Sequence, residues 1–175
     1  VTISGGSLAV TKTTSINAQN IAINAPGQVL GGWTVETAGE AVTVAEMAFS
    51  LTSSNATEKL TSLTVVDSSG KTLAGPTDAQ STTSVKFTDA VTFPVGITHF
   101  KLVGKLSSAF TNNQTVKAGT NPADWKQVRC ETTGNTVTPT PSSAVESNTM
   151  TAKAGSLALY VSPLPISQSV VAGAS

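Results

Sequence analysis

At 175 residues the chain has room for one generous all-β domain, or for one domain plus a strand or two that belong elsewhere. Ten basic residues balance ten acidic ones and only 11% of the chain is charged, so the clustered basic footprint of a nucleic-acid binder and the polybasic stretch of a membrane-surface anchor are both missing. Ser and Thr supply the polarity instead, roughly a quarter of the residues, a share suited to β-rich exported proteins.

Period-two alternation bounded by Gly, Pro, Asn and Ser recurs along the chain, and predicts strands in order. Leu8 and Val10 open the series, followed by Ile21 with Ile23 and a short pair at Trp33 and Val35. Val42, Val44, Met47, Phe49 and Leu51 form one long strand whose inward face shifts between Val44 and Met47, the mark of a β-bulge. Leu60 to Leu73 reads as a hairpin turning at Asp67-Ser68-Ser69-Gly70, with Gly where a positive φ is needed. Further strands are predicted at Val85–Phe87, Val91–Phe93 and Phe100–Leu106, the last after a Pro94-Val95-Gly96 turn, then at Val116 and through Trp125, Val128 and Cys130. Seven to nine short strands at this spacing point to an all-β sandwich, Ig-like or jelly-roll-like, over residues 1–132. Residues 133–149, rich in Thr and Pro and without apolar alternation, read as a linker.

The last stretch restarts the first. Gly6-Ser7-Leu8-Ala9-Val10 returns as Gly155-Ser156-Leu157-Ala158-Leu159, an offset of 149 positions, and the same offset sets Gln19 on Gln168, Ile21 on Val170 and Ala25 on Ala174 without a gap. Residues 150–175 are therefore expected to be a partial copy of the opening strands, forming an extended C-terminal β segment. Such a pair of strands has no core of its own, so it needs a partner: its own domain's sheet edge, a next tandem domain or a neighbouring subunit. Leu157, Leu159, Val161, Val170 and Val171 are the predicted self-association residues, expected to pair with a neighbouring domain or subunit by strand addition.

With the repeat laid out, the chain resembles the tandem β-sandwich (Ig-like) modules of large bacterial surface proteins. The resemblance rests on the Gly155–Leu159 opening, the Pro163–Gln168 stretch, Val170–Ser175, the Ala38-Gly39-Glu40-Ala41-Val42-Thr43-Val44 run after Trp33, the Leu63–Gly70 hairpin and the Val85–Gly96 segment. The chain departs from the pattern at Asn24-Ala25-Pro26-Gly27 and around Trp125 and Cys130. What the resemblance implies is extracellular display at a bacterial cell surface and structural or adhesive work, with no catalytic residue carried over. The start at Val1 rather than Met is read as the trace of a removed export signal.

A search for chemistry yields little. His99 is the single histidine and has no acidic neighbour in sequence; no nucleophile elbow, phosphate loop or His-Glu-x-x-His motif occurs. Glu36, Glu40, Glu46, Asp67 and Asp78 are too scattered for a calcium loop. Cys130 is expected to be a buried, inert thiol, and Trp33 and Trp125 to be core residues, with a glycan platform on either Trp as the alternative. Asn55-Ala56-Thr57 and Asn113-Gln114-Thr115 match the N-glycosylation pattern. The expectation is a non-enzymatic subunit of an extracellular filament or surface layer without catalytic, cofactor or metal site, its partner another copy of itself. A tandem module of a long adhesin or stalk and a carbohydrate-binding accessory domain are the alternatives.

Overall fold

A computed structural model describes residues 5–155. Thirteen strands build two facing sheets, a β-sandwich as the alternation predicts, and no α-helix occurs among the described residues.

The first sheet runs β1 (Ser7–Lys12), β3 (Gln28–Ala38), β9 (Gly96–Lys105), β5 (Thr61–Asp67) and β6 (Thr72–Thr77) from edge to edge, every pair antiparallel. The second is organised around β4 (Val42–Ser53). On one side β4 pairs with β7 (Ser84–Phe87) and β8 (Val91–Phe93), on the other with β10 (Thr115–Thr120) and β11 (Lys126–Cys130). Beyond β10 lie β12 (Val145–Glu146) and β13 (Met150–Lys153), and β2 (Asn20–Ala22) runs parallel to β13 at the far edge.

The long strand β4 shifts its inward face where the sequence places the shift. Val42 and Val44 are buried, two partly exposed residues intervene, and Met47, Phe49 and Leu51 resume. Its partners register the same break, for Val44 faces Val91 while Met47 faces Phe87. The β5–β6 hairpin closes on Asp67, whose Oδ1 accepts the backbone N–H of Ser69 (2.8 Å) and Lys71 (3.0 Å), with Gly70 at φ 89°.

Between the sheets the core is aromatic. Trp33 of β3 stacks on Phe100 of β9 (centroids 5.6 Å apart) and reaches across to Phe49 of β4 (5.2 Å); Phe93 stacks on Trp125 at 6.3 Å. Stacked and tilted pairs of this kind contribute beyond the area that they bury.

Two expectations about organisation change. Trp33 and Val35 belong to an eleven-residue strand, not a short pair. Gly31 and Gly32 mask its alternation, because each sits where a neighbour leaves no room for a side chain: a Cβ at Gly32 would lie 2.3 Å from Ile16 Cδ1, and one at Gly31 2.7 Å from Ser147 Cβ. The larger change concerns 133–149, expected as a linker, which is built into the sandwich. Val137 is buried, its N–H donates to Val128 O (2.9 Å), Thr140 bridges to Ala9, and β12 pairs with β10. Ser147 is buried too, its hydroxyl donating to Leu30 O at 3.1 Å. Two prolines are compatible with this role because an edge segment needs few N–H donors. The strand β13 likewise completes this unit, with Met150 and Ala152 fully buried, so the unit runs to Lys153 and the copy begins at Gly155 rather than at 150.

Candidate self-association site

The residues that the tail repeats form the head of the chain, residues 6–26, and the structure shows how that head is held. It serves both sheets in one run: β1 is the edge of the first sheet and β2 the edge of the second. Six residues of β1 pair with β3, from Ser7 opposite Ala38 to Lys12 opposite Trp33. The other edge of β1 is clamped by Thr140, whose N–H donates to Leu8 O (3.0 Å) and whose carbonyl accepts from Val10 N–H (2.8 Å). Further along, Thr13 N–H donates to Gly32 O, Ile23 N–H to Lys153 O and Asn24 N–H to Leu106 O, each within 3.2 Å. Asn148 adds a side-chain link, its Nδ2 donating to Ile16 O (2.8 Å) and its Oδ1 accepting from Lys12 Nζ (2.6 Å).

Four head residues are buried: Leu8, Val10, Thr13 and Ile21. At the offset of 149 they fall on Leu157, Leu159, Ser162 and Val170, apolar on apolar and hydroxyl on hydroxyl. Two backbone demands are matched as well. A Cβ at Gly6 would meet Cys130 Sγ at 2.8 Å, and the copy has Gly155. Asn24 holds a left-handed φ of 59°, and the copy has Gly173, the residue that adopts it most easily. The copy thus keeps the four buried positions of the head, while the partly buried Ile16 and Ile23 become Pro165 and Ala172 and the exposed Thr11 and Lys12 become Tyr160 and Val161. The predicted association residues Leu157, Leu159, Val161, Val170 and Val171 themselves lie outside the described residues.

Where the head enters, a carboxylate ties the neighbouring loop. Glu40 Oε2 accepts the backbone N–H of Thr132 (2.9 Å) and Thr133 (3.0 Å), and Oε1 accepts the Thr133 hydroxyl (2.7 Å). The Thr133 hydroxyl is the main cause that holds this carboxyl down at about 2, from an ordinary 4.5; partial burial opposes it, and the two N–H groups and the Cys130 thiol assist. Because the folded-state value lies below the unfolded one, the clasp contributes stability above about pH 4.5 and loses it as the pH falls toward 2. We predict that Glu40→Gln lowers the urea midpoint at pH 7 and that the difference from wild type closes by pH 2.

The other sequence candidates do not converge. His99 is exposed, its Nδ1 2.9 Å from the Thr34 hydroxyl, beside a groove of about 230 Å³ whose lining includes no carboxylate. Among the described residues no group of three or more His, Cys, Asp or Glu side chains is placed to hold a metal. Cys130 is buried, as expected, and accepts the Gly6 N–H at 3.3 Å. Trp33 and Trp125 are both buried, with indole N–H groups donating to Val145 O (2.9 Å) and Thr120 Oγ1 (2.8 Å), so neither presents a flat face outward. Asn55 is buried and bonded to Gln114 Oε1 (3.3 Å), unlike the exposed Asn113. No described helix is long and apolar enough to cross a membrane. The sequence signal for the head's role was the repeat; the Thr140 clamp and the Glu40 clasp left none, since each joins residues far apart in the chain.

No protein-family model matches the chain, and no curated protein matches it.

Proposed function

We propose that this protein is a non-catalytic structural unit of an extracellular array, and that residues 155–175 serve as the head of the next unit. The observation that carries this reading is the agreement between the buried positions of the head and the residues of the copy, including the two glycine-compatible backbone positions. A segment selected only as a linker has no reason to keep them.

The next unit either follows in the same polypeptide, as in a tandem adhesin or stalk, or belongs to another subunit, as in a filament or surface layer built by strand exchange. One feature favours the tandem arrangement: the β1 position is already filled by the chain's own head, paired over six residues, so a foreign tail must first displace it. Strand exchange remains open to a head released from its clamp, and electron microscopy of the purified 175-residue chain separates the two by the presence or absence of filaments.

The reading itself is tested by joining residues 27–155 directly after Ser175, so that the tail supplies the head of a second unit. Two cooperatively folded units are expected, the second with its Trp33 indole as protected as the first. A second unit that stays unfolded overturns the proposal.

A further inference from the structure

The head enters and the unit ends at opposite poles. Ser7 faces Ala38 at the last row of β3, level with Gly96 at the start of β9, whereas Lys153 accepts from Ile23 beside Leu106, at the row where Gln28 faces Gly104. Between Lys153 and Ser156, the counterpart of Ser7, there are three residue steps, which reach about 11 Å at full extension. That is far less than the width of a sandwich, whose sheets alone lie ~10 Å apart before side chains and loops are added. Consecutive units therefore touch.

At the entry pole the surface is ready for a contact. Val95 and Ile97 are the exposed large hydrophobic residues among those described, at 58% and 67% exposure; Val95 lies in the turn before β9 and Ile97 is its second residue. Gly96 faces Thr37, and Thr37 faces Leu8, so this turn stands two strands, about 10 Å, from the entering head. Phe100, Leu102 and Gly104 point into the core, which leaves Ile97 on the outer face with nothing of its own unit over it. At the exit pole the turn Asn24–Gly27 offers the exposed Pro26 and the partly buried Ala25, both apolar and without charge.

We infer that Val95 and Ile97 form an interface between consecutive units, packing against the Ala25–Pro26 turn at the exit pole of the preceding copy. This rests on the reading of residues 155–175 as the next unit's head. It makes the array stiff, because a join of three residues with an apolar contact beside it leaves the units little freedom to swivel.

The joined chain described above tests it. Two variants carry Ile97→Cys, one in the first unit and one in the second, and thiol labelling is timed in each against the joined chain without the change, whose Cys130 is buried. The second unit's Cys at 97, at the junction, is expected to label about tenfold more slowly than the first unit's, which has no unit before it. Equal rates with both units folded overturn the interface and leave the reading of the tail standing. An unfolded second unit overturns both.

Discussion

Replacing Trp33 with Ala lowers stability by about 4 kcal/mol, the largest loss expected of any single truncation in this chain. Trp33 is fully buried, stacks on Phe100 of its own sheet and meets Phe49 of the facing one, so its ring fills the space where the two sheets come together. Its indole N–H donates to Val145 O, and truncation leaves that carbonyl without this donor, in the segment that covers the β1 edge. The loss therefore has two parts: a cavity between the sheets and a loosened β12. Urea denaturation checks the total, and Trp33→Phe separates the parts by restoring most of the volume without the donor. A loss below about 1 kcal/mol for Trp33→Ala contradicts this account of the core.

The second prediction sets two leucines with the same sequence neighbours against each other. Leu8→Ala is expected to cost about 3 kcal/mol, since Leu8 is buried and its strand is an edge with one long partner. Leu157→Ala is expected to leave the stability of the unit itself unchanged within about 0.5 kcal/mol, because the proposed role assigns its contacts to the next unit. In the joined chain the order reverses for the second unit, which then loses the same amount from Leu157→Ala. Denaturation of the four proteins gives the comparison. If Leu157→Ala destabilises the 175-residue chain as much as Leu8→Ala does, the tail is part of the first unit's own core and the proposed role falls.

Much of the fold was legible because a strand buried on one face writes itself as alternation. Val42 through Leu51 even carried the face shift, since the partly exposed Ala45 and Glu46 separate Val44 from Met47 and break the period. The hairpin at Asp67 to Gly70 was equally plain, as side-chain capping and a positive φ are local needs with local solutions. The 133–149 segment was opaque for the opposite reason. It covers the β1 edge and joins β10 through Thr140, Val145 and Ser147, single contacts spaced along a Thr- and Pro-rich run, and such contacts leave no period to find. Of the candidate site, the repeat gave the location and the structure gave the meaning. Only burial showed that Leu8, Val10, Thr13 and Ile21 are the positions at which the head enters the core.

The head strand has a mechanical side as well. In a string of such units tension enters at Ser7 and leaves at Lys153, at opposite ends of the sandwich and along its strands. Under that pull β1 cannot peel from β3 one bond at a time; the whole six-residue ladder is loaded in shear, and the Thr140 bonds on its other edge share the load. Rupture then requires many bonds to fail together, so in the proposed string the placement of β1 makes each unit resist extension.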